Sequence, residues 1–176
     1  MWRLALGIAA SLLGTACSPA RTDPLDGEAG ASSAAGAASQ SYSVGLGVPG
    51  GPDGLDFVPL DDGAELRLQT FGQGGTHLIV AVRALGFGNR AFVSAKLRNL
   101  QSGVEIEEPA PARPQLLFCG EGGFCDLVPY LVHASGLTET DEEKDGLEVE
   151  LSAEVRNDAG ISAQGSRRVM LSTADL

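Results

Sequence analysis

The sequence predicts an all-β domain on three observations. Leu147 to Arg156 alternates apolar and polar residues without a break, the period of a strand with one face in a core. Short apolar runs recur between turn signals rich in Gly, Asn and Asp, which is the spacing of small antiparallel sheets. No stretch beyond residue 55 carries a long amphipathic helical stripe. The nearest is Ala91–Leu100, where Val93, Leu97 and Leu100 also fit a helical face.

The elements follow in chain order. Ala64–Thr70 alternates, Gly72–Gly75 turns, and Thr76–Leu85 is apolar and rich in β-branched residues, so these two runs read as a hairpin. Gly86-Phe-Gly-Asn89 reads as a second hairpin turn leading into Ala91–Leu100. Val104–Glu107 and a segment within Leu116–His133 supply further strands. Leu147, Val149, Leu151, Ala153 and Val155 line one face of the alternating strand, with Glu148, Glu150, Glu154 and Arg156 on the other. Asn157-Asp-Ala-Gly160 is turn chemistry, and a return strand lies within Ile161–Leu171. Seven or eight short strands of this kind predict a single antiparallel β-sandwich, immunoglobulin-like in character.

Upstream of the domain the chain reads as an address. One basic residue, Arg3, precedes an uncharged run from Leu4 to Leu13, then Gly14-Thr15-Ala16 and Cys17. That run is too short to span a bilayer, which takes about 20 helical residues, and has the layout of an export signal. Small residues ahead of a cysteine resemble a bacterial lipobox, in which the cysteine receives a diacylglyceryl group. Gly14 stands where that motif usually has leucine, and cleavage after Ala16 or Ala20 to release a soluble protein is the alternative. Residues 1–16 are thus expected as signal peptide, and 17–54 as lipidated Cys17 followed by a tether. The tether contains the Ala/Ser/Gly stretch Gly27–Ser39 and the Gly/Pro-rich Gly50–Gly54. As a coil its 35 or so residues reach roughly 30–35 Å. The folded domain is expected over 55–176.

The chain has three cysteines. With Cys17 acylated, Cys119 and Cys125 remain as a pair, and export to an oxidising compartment predicts a disulfide between them. A redox or metal role would call for C-x-x-C spacing or neighbouring histidine ligands. Net charge is −11 with no Lys/Arg cluster, which excludes the electrostatic footprint of a nucleic-acid binder.

Motifs that carry chemistry are few. Gly45-Leu-Gly-Val-Pro-Gly50 matches G-x-G-x-x-G in letters, but Pro49 interrupts the helix such a loop must open. Gly86–Ala91 follows an apolar strand, yet Arg83 lies within that strand and no further βα alternation follows, against a dinucleotide fold. Asp141, Glu143, Asp145 and Gly146 fall at calcium-loop positions one, three, five and six. Ser152 stands at position twelve, where an EF-hand needs a bidentate glutamate. A looser calcium contact through Asp141, Glu143 and Asp145 stays open beside the plainer reading of a solvated acidic loop. His77 and His133, the only histidines, make a zinc site only if distant strands converge. No metal or other cofactor is expected. No Gly-x-Ser-x-Gly elbow or His-Glu-x-x-His motif is present, and the expectation is a protein without enzymatic activity.

Phe57–Leu66 followed by Phe71-Gly-Gln-Gly-Gly-Thr-His77 resembles uncharacterised exported lipoproteins of GC-rich bacteria. In these a short strand precedes a Gln-Gly-Gly-x-His turn, a long apolar strand and an immunoglobulin-like body. The resemblance extends loosely to the hairpin around Asn157–Gly160. It implies a sandwich on a lipid tether and no particular activity. Gln73 and His77 flank the glycine turn and would hydrogen-bond across it; facing a ligand is their alternative role. The combined expectation is an outer-membrane lipoprotein of the cell envelope, the alternative being a secreted or periplasmic soluble protein. Its partners would be the membrane, through the lipid, and another envelope protein it helps to scaffold. The alternative function is a small-ligand or carbohydrate-binding module. Against that stands the placement of most phenylalanines in apolar stretches, where burial is expected.

Overall fold

The computed structural model describes residues 41–71, 75–109, 111–138, 140 and 142–173. The strands are β1 (Ser43–Gly50), β2 (Asp56–Pro59), β3 (Ala64–Thr70), β4 (Thr76–Leu85), β5 (Arg90–Asn99), β6 (Glu105–Glu108), β7 (Gln115–Leu116), β8 (Phe118–Cys119), β9 (Phe124–His133), β10 (Glu148–Arg156) and β11 (Ser162–Ser172). Two single 3₁₀ turns, Glu121–Gly123 and Glu142–Lys144, are the only helical pieces among the described residues. The domain is all-β, as its alternating pattern predicts.

The alternation of β10 becomes burial directly. Val149, Leu151, Ala153 and Val155 are at most 1% exposed, whereas Glu148, Glu154 and Arg156 face solvent. β10 lies between β11 and β5, antiparallel to both, and β6 completes the edge. A second ladder centres on β4. Its one side pairs with β9, and its other side is shared by β1, opposite residues 81–85, and the end of β3, opposite 76–78. β2 continues beyond β1, and β8 beyond β9.

β3 belongs to both ladders. Its first half runs parallel to β11, Ala64 to Arg67 opposite Val169 to Ser172, and its second half pairs antiparallel with β4. All eleven strands therefore join into one mixed sheet. Strand number and direction depart from the expected seven or eight antiparallel strands. Two of the additional strands, β7 and β8, have two residues each, too short to show a period. The other two, β1 and β2, come from the segment before and around residue 55.

The expected start at Leu55 is thus too late, since β1 contributes a core residue, Leu46, at 2% exposure. Val44, Leu46 and Val48 alternate with Gly45 and Gly47. The glycine faces are bare because Phe57 lies over them; a Cβ on Gly47 would sit 2.6 Å from Phe57 Cε2. At the other end of β1, Val44 crosses Gly165 of β11. A Cβ on Gly165 would sit 3.1 Å from the Val44 carbonyl carbon and closer still to its oxygen.

Gly86–Asn89 also differs from expectation. It carries the chain from β4 into β5, and those strands pair with different neighbours, so it is a crossover between ladders and not a hairpin turn. The two expected hairpins that do form are β3–β4 and β10–β11. In the second, Asn157 Oδ1 accepts from Ile161 N–H at 2.9 Å and Gly160 takes a positive φ of 82°.

Opposite Val80–Val82 of β4 the register slips: Val80 faces Tyr130 but Val82 faces Leu127. β9 therefore carries one extra residue at Val128–Pro129, where proline has no N–H to offer the ladder. Beside this bulge the Tyr130 hydroxyl donates to Val93 O at 3.3 Å, joining β9 to β5 across one core whose members come from both ladders. Burial, aided by the Glu108 carboxylate, pushes the Tyr130 phenol up to about 12. The unfolded phenol ionises near 10, so this contribution to stability is complete below pH 10 and is lost as pH rises toward 12. Denaturant titrations across that window should show the fall in wild-type protein. Tyr130→Phe should flatten it; an unchanged pH profile in the variant would sink the assignment.

Candidate functional site

The outward face of β4 and β9 gathers most of the chemistry. His77 and His133 are direct cross-strand partners. Ala134 N–H donates to Thr76 O at 2.8 Å, which makes the neighbouring His77–His133 position the non-hydrogen-bonded kind, with side chains at their closest. The two Nε2 atoms are 3.2 Å apart and the ring centroids 4.0 Å. Phe71 meets the His77 ring edge-on at 5.4 Å.

Two hydrogen bonds fix this end of the face, beside a closely approached glycine. Gly75 takes a φ of 88°, and a Cβ there would lie 3.4 Å from the Cε1 atoms of both imidazoles. Ser135 Oγ accepts from Thr76 N–H at 3.1 Å. Glu108 reaches over from β6 to accept from His133 N–H at 2.9 Å. His77 Nδ1 is buried without a partner among the described residues. Gln73, the expected companion of His77, lies outside the described residues, and His133 is the partner the fold provides. Sequence reasoning weighed both histidines but had no means of pairing them, because the register of β9 on β4 depends on the bulge.

Further along the same face, Arg83 and Asp126 are also cross-strand partners. Arg83 Nε and Nη2 each donate to one carboxylate oxygen at 2.7 Å, a bidentate geometry. Those hydrogen bonds raise the guanidinium above its ordinary value, with burial opposing and the Asp126 charge adding. The Arg83 guanidinium lies 4.2 Å from the Phe57 ring centroid and 5.5 Å from that of Phe124. Opposite Asp126 on the edge strand β8, Phe118 is 67% exposed. Arg83, which counted against a buried parallel strand, is accommodated because β4 has one face outside the core.

Cys119 and Cys125 are disulfide-bonded and face each other across β8 and β9. Cys125 is 3% exposed, so the bridge roots the hairpin in the core. The third cysteine, Cys17, lies outside the described residues.

Of the acidic loop, Asp141 lies outside the described residues. Glu143 Oε2 accepts from Thr140 N–H at 3.3 Å. Asp145 Oδ1 accepts from both Thr173 N–H at 2.8 Å and Thr173 Oγ1 at 3.1 Å, which ties the end of β11 to the loop. Lys144 is buried within the same run. Among the described residues no group of three or more His, Cys, Asp or Glu converges as a metal site. The two hydrogen bonds from Thr173 give Asp145 a structural role. Asp145→Ala should lower stability by about 1 kcal/mol and expose the amides around Leu171–Thr173 to exchange. Unchanged exchange there would refute that role.

On the opposite ladder a polar hollow of about 410 Å³ is lined by Lys96, Arg98, Glu105, Glu150, Ser152 and Gln164, among others. Lys96 is paired with Glu105 at 2.9 Å and Glu107 at 3.5 Å, and the first of these holds its ammonium above the usual lysine value. The Lys96, Glu105 and Glu107 charges satisfy one another.

The chain matches no protein-family model, no curated protein and no solved structure. Among the described residues no helix is long and apolar enough to cross a membrane.

Proposed function

We propose that the chain is a non-enzymatic, lipid-anchored protein of the cell envelope whose domain serves as an interaction or scaffolding module. In this reading the two ladders are the layers of an immunoglobulin-like sandwich, with β3 passing from one to the other. The core shared by both ladders and the Tyr130–Val93 hydrogen bond across it support that architecture. Cys17, after its short apolar run, is the proposed anchor, and the outer membrane its location. The resemblance to exported lipoproteins through Gln73 and His77 belongs to the same proposal.

One observation carries the interaction role. Phe118 and Phe124, 67% and 39% exposed, stand on the disulfide-bonded hairpin beside Arg83, and Leu116 is 58% exposed two residues before Phe118. Exposed aromatic groups next to an arginine are the residue types that protein interfaces concentrate. A photo-crosslinking residue at Phe118 in cells should capture a reproducible envelope partner, whereas one at Glu154 should not. Capture at both positions equally, or at neither, would overturn the reading. Intact mass of the membrane-extracted protein tests the anchor: a chain starting at Cys17 with acyl chains added is expected.

The same residues favour one second reading. The Phe57–Arg83–Phe124 stack leaves aromatic surface outside the core, where burial was expected for most phenylalanines, and a small ligand or sugar could lie against it. Stabilisation by glycans in a thermal-shift screen, abolished by Phe124→Ala, would move this reading ahead.

A further inference from the structure

We propose that His77 and His133 form a two-histidine clamp for a late first-row divalent cation, binding through both Nε2 atoms. Two imidazole nitrogens on one zinc at about 2.0–2.1 Å are about 3.3–3.4 Å apart at a tetrahedral angle and about 2.9 Å apart at a right angle. The observed separation of 3.2 Å falls between these values. Without metal, the same separation is bridged by a single N–H···N hydrogen bond; on binding, the bridging proton passes through solvent to Nδ1 of its own ring and the ion takes its place between the two Nε2 atoms, with no net proton released.

The ligands sit on strands, not on a mobile loop. β4 is held on both sides by neighbours, and His133 has its backbone N–H tied to Glu108. Ligands held in this way lose little freedom when the ion arrives. Gly75 carries no side chain to crowd the two rings, whose Cε1 atoms a Cβ there would approach to 3.4 Å, and His133 is exposed. Imidazole ligands select Zn²⁺, Cu²⁺ and Ni²⁺ over Mg²⁺ or Ca²⁺, with Cu²⁺ bound most tightly. Water completes the coordination, since no third His, Cys, Asp or Glu converges among the described residues.

One feature limits affinity. Metal on Nε2 places the remaining proton on Nδ1, and metal-bound histidines normally donate that proton to an acceptor. Buried His77 Nδ1 has no such acceptor among the described residues. The clamp is therefore weaker than a site whose histidines are both held from behind.

The test uses the full chain with Zn²⁺ alone, followed by chelator competition at 0.15 M salt, where diffuse attraction to the acidic surface is screened. One Zn²⁺ per chain is expected, with Mg²⁺ failing to compete. His133→Ala, at an exposed position, should abolish this uptake, as should His77→Gln, which keeps a polar side chain under Phe71. Cu²⁺ bound to wild-type protein should show electron-spin coupling to two imidazole nitrogens, falling to one or none in either variant. Absence of stoichiometric Zn²⁺ uptake by wild-type protein at tens of micromolar, or uptake unchanged in His133→Ala, would overturn the proposal.

Discussion

Gly165→Ala is expected to destabilise the domain by about 3 kcal/mol, the upper part of the range for overpacking a filled core. The added methyl group would collide with the Val44 carbonyl, and both partners are backbone, so no side-chain rotation relieves it. β1 must lift from β11 or β11 must bend. β11 is fixed on one side by β10 along most of its length, whereas β1 pairs with β4 over only Ser43–Gly47. The displacement should therefore fall on β1. Hydrogen exchange should show lost protection at residues 43–50 before any change in β10, and the melting temperature should drop by roughly 10 °C. A variant as stable as wild type, with β1 still protected, would disprove this crossing of β1 over β11.

Replacing Cys119 and Cys125 together by serine is expected to cost about 2 kcal/mol, since the bridge closes a loop spanning six residue steps. The loss should be partly local. β8 is two residues long and pairs only through Phe118–Asp126 and Cys119–Cys125, and so short a hairpin arm does not persist without a staple. Protection at residues 117–120 should vanish while β10 and β5 retain theirs. The melting temperature should fall by roughly 5–10 °C. If crosslinking at Phe118 depends on the bridge holding β8 against β9, the serine variant should lose it as well. Equal exchange in wild type and variant at these residues would count against the bridge as the element that holds β8.

How much of this was legible depended on strand length and on what each strand faces. β3, β4, β5 and β10 are long, and each leaves an apolar stripe of period two or a continuous apolar run, while β11 follows from the Asn157–Gly160 turn before it, so all five are located within a residue or two. β1 was missed although Val44, Leu46 and Val48 alternate perfectly. The intervening glycines and Pro49 look like tether composition, and only Phe57, lying over those glycines, explains why they suit a strand. Gly86–Asn89 has hairpin chemistry yet serves a crossover, because turn residues report a change of direction and not which strand comes next. The disulfide followed from cysteine arithmetic. The histidine pair did not: each residue was visible alone, but their meeting depends on long-range register.

The bulge at Val128–Pro129 has a consequence for which residues can share a surface. Asp126 and His133 are an odd number of positions apart, so on an unbroken strand they would occupy opposite faces. The additional residue reverses the parity of β9 halfway along: even-numbered Phe124 and Asp126 point outward before it, odd-numbered Leu131 and His133 after it. The ion pair with Arg83 and the imidazole pair with His77 coexist on one face only because of that reversal. Removing a single residue from the bulge would turn one of the two inward, and no substitution elsewhere in β9 could restore both.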